Sequence, residues 1–187
     1  MVDHKENEDA VDPVALLHDS VEQLTSQIKK NPDDGELYYQ RGVLFGQLVD
    51  PKSAIQDFDY AISLDRHNAE AYYNRGLAYV HLKEQLTAIE DFTAAVNIDS
   101  NHADAFNNRA AALLELGRFE QALSDADTAI GLRPGFASPY AIRALANISL
   151  GRSKDAEVNA EKAQELGFDR QMLRHFMSQA GGGRRLL

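Results

Sequence analysis

The sequence contains no cysteine among its 187 residues, so disulfide bonds and thiolate metal sites are excluded. It also lacks a glycine-rich phosphate loop, a nucleophile elbow and an H-E-x-x-H metal motif. No two histidines have the i, i+4 spacing of a helical metal site, and we interpret His67 and His102 as solvated turn residues. We therefore expect no metal, no cofactor and no enzymatic activity. The six histidines are His4, His18, His67, His81, His102 and His175.

Positive charge is also scarce, since 19 Lys and Arg residues face 29 Asp and Glu residues and the net charge is -10. Nucleic acids and anionic membrane surfaces require basic patches, so neither is an expected partner, whereas a basic protein is permitted. No apolar run approaches the ~20 residues that span a bilayer. The first residues lack a basic and apolar leader. We expect a soluble, cytoplasmic protein without a signal peptide.

The residues that are present repeat with a period of 34. Small residues recur where two helices would approach at the short end of the ~8–10 Å packing range. Aromatic and leucine residues recur beside them and fill the remaining space. Such a period predicts a stack of helical units. The rows are Tyr38, Tyr72, Phe106, Tyr140; Arg41, Arg75, Arg109, Arg143; Gly42, Gly76, Ala110, Ala144; Leu48, Leu82, Leu116, Leu150; Ala54, Ala88, Ala122, Ala156; Ala61, Ala95, Ala129, Ala163; and Leu64, Ile98, Leu132, Leu166.

Residues 69–102 show the unit most clearly, with an aromatic and small-residue pattern at Tyr72, Gly76, Tyr79, Ala88, Phe92 and Ala95. This pattern resembles the tetratricopeptide repeat, and the resemblance extends from Gly35 to about Gly167. It implies an all-α fold, namely a right-handed α-α superhelix of helix-turn-helix hairpins. Three departures occur. Pro134 is the one proline at the repeat-closing position, Leu113 and Asn147 replace the second aromatic residue of the first helix, and Ala126 and Ala160 replace the phenylalanine of the second helix.

The pattern also predicts the organisation of the chain. Ten helices are expected, one leading, eight in four hairpins of about 14 residues per helix, and one trailing. Asp12, Asp50 and Ser138 each precede a proline and are predicted to cap helices. Met172, Leu173 and Phe176 are predicted to face inward. The predicted segments are 1–12 (disordered and acidic), 13–31 (N-terminal capping helix), 35–68, 69–102, 103–136 and 137–168 (four repeats), 169–180 (C-terminal capping helix) and 181–187 (flexible tail).

An aspartate row follows the arginine row by sixteen residues and consists of Asp57, Asp91 and Asp125, with Asn159 in the last repeat. This spacing favours bidentate ion pairs between helices, and an anion-binding ladder is the functional alternative. Each aspartate can pair within its own hairpin or with the next one. We predict the next one, because the carboxylate is lost at Asn159, where no repeat with an arginine follows. Ala88 and Ala122 are predicted to be almost fully buried.

In tetratricopeptide arrays the first helices of the hairpins line a concave groove that holds peptides. The resemblance places on this face Glu36, Tyr39, Gln40, Glu70, Tyr73, Asn74, Asp104, Asn107 and Asn108. An acidic rim beside tyrosine rings and amides predicts an extended or short helical ligand that carries Lys or Arg. The structural alternative is a face that is merely solvated.

A clamp for the C-terminal carboxylates of chaperones is not predicted, because Ser138 and Ile142 stand where the family has Lys and Arg. We predict a non-enzymatic protein-protein interaction module for a protein or peptide partner. The alternative is a structural scaffold that forms a homo-oligomer through its capping helices, tail or convex face. The tail, with Arg184 and Arg185, is itself a candidate ligand for the groove of a neighbouring molecule.

Overall fold

The computed structural model describes residues 12–182, which form ten α-helices and no β-strand. The all-α fold, with one leading helix, four hairpins and one trailing helix, is therefore confirmed for these residues. None of the ten helices combines the length and the hydropathy that a bilayer crossing requires. The helices are α1 (Pro13–Lys30), α2 (Gly35–Gln47), α3 (Pro51–Leu64), α4 (Ala69–His81), α5 (Gln85–Ile98), α6 (Ala103–Glu115), α7 (Phe119–Leu132), α8 (Ala137–Leu150), α9 (Ser153–Glu165) and α10 (Arg170–Gly182).

The helices fall into two compact units. The N-terminal unit ends at His67 and contains α1, α2 and α3; the C-terminal unit begins at Asn68 and contains α4 to α10. In the N-terminal unit α1 packs on α2, which forms a hairpin with α3. In the C-terminal unit the hairpins α4–α5, α6–α7 and α8–α9 pack in chain order, and α10 packs on α8.

Aspartate caps begin two helices as expected. The side chain of Asp12 accepts a backbone hydrogen bond from the second residue of α1 at 3.0 Å. Asp50 accepts one from the backbone N–H of Ser53 at 3.2 Å. Hydrogen bonds from the Ser53 side chain and backbone lower the pKa of Asp50. The cap predicted at Ser138 is wrong, because α8 begins at Ala137, two residues earlier than predicted, and Phe136 occupies the cap position.

The turn inside each hairpin contains one residue in the left-handed region, and these residues are 34 apart. They are Val49 with φ 57°, Lys83 with φ 61°, Gly117 with φ 72° and Gly151 with φ 78°. Glycine adopts this conformation without steric cost, whereas a β-branched residue such as Val49 is strained there.

In each of the first two hairpins, a glycine of the first helix lies directly against a phenylalanine ring of the second helix. A Cβ built on Gly42 would lie 2.7 Å from Phe58 Cε1, and one built on Gly76 would lie 2.7 Å from Phe92 Cε1. Both rings are buried. The hairpins that follow have alanine at both positions, and these four residues are also buried. They are Ala110 and Ala126 in α6–α7, and Ala144 and Ala160 in α8–α9.

The predicted burial of Ala88 and Ala122 is confirmed, since both are 0% exposed. Each lies near the start of the second helix of its hairpin. In the C-terminal unit Ala122 belongs to a core cluster with Leu113 and Ile142, which links α7 to α6 and α8. The small-residue rows are therefore the places where the helices of each hairpin pack against each other.

The arginine row forms bidentate ion pairs, but the predicted pairing with the next hairpin is wrong. Each of the first three arginines binds the aspartate of its own hairpin, with Nε–Oδ2 distances of 2.8 Å for Arg41 and Asp57, 2.8 Å for Arg75 and Asp91, and 2.7 Å for Arg109 and Asp125. The guanidinium of Arg109 also bonds to the preceding helix, α5, where its Nη1 donates a hydrogen bond to Thr93 Oγ1 at 3.0 Å. Where Asn159 removes the carboxylate, Arg143 Nη1 contacts Asp127 at 3.1 Å.

The trailing helix α10 differs from its prediction. Leu173 is fully buried as expected, but Met172 is 50% exposed and Phe176 is 40% exposed. Leu173 alone of the three points into the core against α8, and Met177 packs beside it. The helix continues to Gly182, beyond the predicted start of the tail.

Residues 1–11 and 183–187 lie outside the described residues. They contain most of the segment predicted to be disordered and acidic, and most of the tail predicted as a ligand.

Candidate functional site

Three of the nine predicted site residues lie on α2 in the N-terminal unit. Glu36 and Gln40 are exposed, and Gln40 Nε2 donates a hydrogen bond to Glu36 Oε1 at 2.9 Å. Tyr39 is half-buried, and its ring centroid lies 6.0 Å from that of Phe58. The amide and the carboxylate that were predicted to meet a partner therefore engage each other one helical turn apart.

Three more predicted residues lie on α4 in the C-terminal unit. Asn74 Nδ2 donates to the backbone oxygen of Glu70 at 2.9 Å, within the same helix. The Glu70 side chain is 58% exposed. Tyr73 is half-buried, and its ring lies against Phe92 and His102 at centroid distances of 5.9 and 4.6 Å. The ring of Tyr73 is thus fixed by packing, while the Glu70 carboxylate is open to solvent.

A chain of hydrogen bonds joins α6 to α4. Asn107 Nδ2 donates to Asn108 Oδ1 at 3.4 Å, and Asn108 Nδ2 donates to the hydroxyl oxygen of Tyr73 at 2.9 Å. The structure therefore brings Tyr73, Asn107 and Asn108 together. Asn107 is only 6% exposed, yet its Oδ1 atom has no hydrogen-bond partner. Its surface is almost wholly covered by protein, so this oxygen is an unsatisfied acceptor inside the structure and is not open to solvent.

The remaining predicted residue, Asp104, is paired within the chain. Its carboxylate contacts the guanidinium of Arg133, and both side chains are about half exposed. Arg133 also lies over the ring of Phe136, with Cζ 4.4 Å from the centroid. This pair neutralises part of the predicted acidic rim. In the C-terminal unit, Glu70 is the rim carboxylate with the larger exposed fraction.

His102 was predicted to be a solvated turn residue, and the structure corrects this. It is 9% exposed, and its Nδ1 accepts a hydrogen bond from the Ala105 backbone N–H at 3.3 Å, which caps α6. The other ring nitrogen, Nε2, lies 3.4 Å from Glu70 Oε1 without hydrogen-bond geometry. The imidazole is thus a buried structural group that supports Tyr73.

The electrostatic surroundings of Tyr73 disfavour its ionisation. Burial raises the pKa of the Tyr73 phenol, and the nearby carboxylates of Asp104 and Glu70 raise it further. The hydrogen bond from Asn108 opposes this shift. Tyr73 is therefore a neutral hydroxyl that positions an amide, because nothing in these surroundings activates it as a base.

An apolar groove lies beside this polar chain, and we call it the α6–α8–α10 groove. It has a volume of about 430 Å³. Its walls come from the first helices of two hairpins and from the trailing helix. The lining residues are Asn107, Asn108, Ala111, Leu114, Glu115, Phe119, Ser138, Ala141, Ile142, Leu145, Ser149, Phe168, Phe176, Gln179 and Ala180. The groove thus combines a largely apolar surface with a few polar residues, among them Asn107 and Asn108.

Among these lining residues, Asn107 and Asn108 belong to the nine predicted site residues. The 34-residue register also relates Ala141 to Asn107 and Phe176 to Ile142, and all four line the groove. Arg133 carried no such signal, because it lies in a turn between hairpins and its partner depends on three-dimensional packing. Among residues 12–182 no group of three or more His, Asp and Glu side chains is arranged to hold a metal ion. The arrangement offers hydrogen bonds and apolar contact.

Comparison with known proteins agrees with this architecture. Residues 39–104 and residues 92–124 match two family models, each described as tetratricopeptide repeat. No curated protein sequence matches the chain.

Three solved structures illustrate the structural similarity. A crystal structure of MamA has a TM-score of 0.76 at 23% identity, covering 83% of this chain and 95% of MamA. PilF of Pseudomonas aeruginosa has a TM-score of 0.74 at 17% identity, covering 90% of this chain and 80% of PilF. The first repeat domain of Spaghetti (RPAP3), bound to the HSP90 peptide SRMEEVD, has a TM-score of 0.61 at 22% identity, covering 63% of this chain and 93% of that domain. Because the sequence identities are low, the similarity shows only that this chain shares the fold of these structures.

Proposed function

Because the chain is a tetratricopeptide repeat protein, we propose that it is a non-enzymatic module that holds a peptide or protein partner against the first helices of its hairpins. The observation that carries this proposal is the α6–α8–α10 groove, a largely apolar cleft with Asn107 and Asn108 among its lining residues. An apolar cleft with a few placed polar groups is the usual form of a binding site. The peptide bound to the similar RPAP3 domain supports the idea that this fold can hold a peptide.

The acidic peptide of the RPAP3 structure is not transferred to this chain. Lys, Arg and His are missing from the residues that line the groove. Ser138 and Ile142 line it where a carboxylate clamp needs basic side chains. Glu115 is the charged lining residue, so a carboxylate on the ligand meets repulsion.

We propose that the partner carries Lys or Arg beside its contact residues. The net charge of -10 favours a basic partner, and Glu70 supplies an exposed carboxylate next to Tyr73. A cation held near a tyrosine ring contributes ~0.5–2 kcal/mol. Because Asp104 is paired with Arg133, the attraction is concentrated at Glu70 and, in the N-terminal unit, at Glu36. Exposed charges chiefly accelerate association, and salt weakens their effect.

A selection experiment tests this proposal. A random peptide library is displayed and panned against the immobilised full chain, and the selected peptides are synthesised and measured at low and high salt. We expect selected peptides that contain Lys or Arg and bind more weakly at high salt. Failure to select any peptide that binds the soluble chain would contradict the proposed function.

Two matched variants test the role of the rim charge. Glu70→Lys and Glu157→Lys each change the net charge from -10 to -8, and both residues are exposed. Glu157 lies on α9, the second helix of its hairpin. We expect Glu70→Lys to weaken the binding of basic peptides more than Glu157→Lys does. Equal effects would mean that the attraction is a property of the whole surface.

The alternative function, a self-assembling scaffold, is favoured by the exposed apolar residues of α10. Met172 is 50% exposed and Phe176 is 40% exposed, although they lie on a helix that packs on α8. Size-exclusion chromatography with light scattering separates the two functions. A monomer at every concentration would count against self-assembly. A dimer that is lost in Met172→Ser would support it.

A further inference from the structure

The row of ion pairs is incomplete in the fourth hairpin. In the first three hairpins the Nε and Nη2 atoms of the arginine donate to the aspartate, as Arg109 does to Asp125 with both distances at 2.7 Å. The fourth hairpin has Arg143 but carries Asn159 in place of the aspartate. Within residues 12–182 the guanidinium of Arg143 contacts Asp127 through Nη1, and its Nε and Nη2 atoms have no protein acceptor. The edge that holds a carboxylate in the other hairpins is therefore unused in the last one.

The unused edge belongs to the arginine of the row with the largest exposed fraction. The side chain of Arg143 is 31% exposed, whereas those of the three paired arginines are between 17% and 19% exposed. Asn159 is only 7% exposed, and its Nδ2 donates to the backbone oxygen of Asp155 at 2.6 Å within the same helix. An amide also has no charge with which to neutralise a guanidinium. A ligand from solvent can therefore reach an arginine edge that the chain itself does not use.

The surroundings of Arg143 follow from the preceding hairpin. There a cleft of about 330 Å³ is lined by residues of α5, α6 and α7, among them Arg109 and Asp125. The 34-residue register relates these two residues to Arg143 and Asn159, and it places Val158, which is 65% exposed, beside them. None of these residues lines the α6–α8–α10 groove. The register therefore places Arg143 on a different surface, between α7, α8 and α9.

The charges near Arg143 favour one kind of anion. Asp127 lies 3.1 Å from Nη1 with its side chain 60% exposed, and Arg152 lies 3.8 Å from Glu120. A phosphate dianion would bring two negative charges next to Asp127, whereas a carboxylate brings one. The two oxygens of a carboxylate also match the planar fork that Nε and Nη2 form. A carboxylate is therefore the ligand that fits this edge.

From the unused edge of Arg143 and the buried, uncharged Asn159, we propose that Arg143 is a binding site for the carboxylate of an aspartate or glutamate side chain of a partner protein. This carboxylate takes the position beside Arg143 that Asp125 has beside Arg109. It accepts hydrogen bonds from Nε and Nη2, while Nη1 keeps its contact with Asp127. Val158 offers an apolar contact to the residues that flank the carboxylate. The site is separate from the groove of the proposed function and is tested independently of it.

Acetate is the probe for the carboxylate. It is titrated into the ¹⁵N-labelled full chain at constant ionic strength, with chloride as the balancing anion, and the Nε–H signals of the arginines are followed by NMR. Arg143→Lys identifies the signal of Arg143. We expect this signal to shift and to saturate, whereas that of Arg109 stays in place because Asp125 occupies its edge. A shift of Arg143 no larger than that of the exposed Arg118 would overturn the inference.

Asn159→Asp supplies the carboxylate from within the chain. Without acetate, we expect the Arg143 signal of this variant to lie where acetate moves the signal of the wild type, and the response to acetate to be lost. Asn97→Asp adds the same charge at an exposed position of α5 and should keep the response. We also expect Asn159→Asp to melt at or above the temperature of the wild type, because the new aspartate gains a bidentate partner. A response to acetate that persists in Asn159→Asp would overturn the inference.

A displayed peptide library connects the probe with a partner protein. The library is first depleted on immobilised Arg143→Gln and then selected on the wild-type chain. The first step removes peptides of the α6–α8–α10 groove, because Arg143 does not line that groove. We expect the recovered peptides to contain Asp or Glu and to bind Arg143→Gln weaker by roughly tenfold. Recovery of no such peptide would overturn the assignment to a partner's carboxylate, and the proposed function, tested at the groove, would stand.

Discussion

Gly76→Ala tests whether the close approach of α4 and α5 depends on a glycine. A Cβ at this position would lie 2.7 Å from Phe92 Cε1 and 2.9 Å from Phe92 Cδ1. Ordinary contact begins at 3.4 Å, so the ring or the helix must move by about 0.7 Å, the difference between 3.4 and 2.7 Å. Phe92 is fully buried, so its ring has no open space to enter. Substituting alanine therefore strains the hairpin.

The expected magnitude is the balance of two effects. Inserting a methyl group into a packed core costs ~1–3 kcal/mol. Replacing glycine with alanine inside a helix stabilises by roughly 0.5–1 kcal/mol. We expect Gly76→Ala to lower the free energy of unfolding by roughly 0.5–2 kcal/mol. Gly131→Ala in α7 is the matched control, because its Cβ would meet nothing within 4 Å, and we expect it to stabilise by roughly 0.5–1 kcal/mol.

Urea denaturation followed by circular dichroism measures both variants. The next hairpin suggests a rescue, because it has Ala110 and Ala126 at the two positions and packs both without exposure. In a Phe92→Ala background, Gly76→Ala should no longer destabilise, and the coupling between the two substitutions should be about 1–3 kcal/mol. If Gly76→Ala stabilised the protein as much as Gly131→Ala does, the close contact would not constrain the hairpin and the reasoning would be refuted.

Three further substitutions have expected outcomes in thermal and urea denaturation. Val49→Gly relieves a β-branched residue at φ 57° that is 73% exposed, and should stabilise by ~0.5–1 kcal/mol; an unchanged stability would mean that the turn is not strained. Ala88→Leu overpacks a fully buried site and should destabilise by ~1–3 kcal/mol; an unchanged melting temperature would contradict its burial. Asp125→Asn leaves the Arg109 guanidinium, whose side chain is only 17% exposed, without its bidentate partner and should cost roughly 2–4 kcal/mol. Asp127→Asn, at 60% exposure, should cost ~1 kcal/mol or less.

The 34-residue register predicted the helices because each row has one packing role. It also contained information that residue type alone concealed. The N-cap positions Asp34, Asn68, His102 and Phe136 are 34 apart, so the register placed His102 at a cap, although histidine is not a common capping residue. Considering only that residue 102 is a histidine gave the wrong prediction that it is a solvated turn residue. The same register placed Phe136, and not Ser138, at the start of α8.

The arginine pairing was not determined by the register. An arginine and an aspartate that are both repeated every 34 residues are compatible with pairing inside a hairpin or between hairpins. The choice depends on how far each helix is rotated about its axis and on which groups complete the guanidinium. In the structure, Asp125 accepts hydrogen bonds from Nε and Nη2 of Arg109, and Thr93 accepts one from Nη1. Pairing within the hairpin therefore gives all three guanidinium nitrogens a hydrogen-bond acceptor. The loss of the carboxylate at Asn159 has a different consequence, since Arg143 turns to Asp127.

The position of the groove follows from the same comparison of rows. On the face of the first helices, one row runs Tyr39, Tyr73, Asn107 and Ala141, so the side chain becomes smaller along the chain. Tyr73 packs its ring against neighbours, whereas Asn107 and Ala141 leave space that the groove occupies. A sequence that repeats its packing rows and varies the residues of one face keeps the fold constant while it shapes a surface. Where this variation replaces the ring of Tyr73 with the amide of Asn107 and then with the methyl group of Ala141, the surface opens into the cleft between α6, α8 and α10.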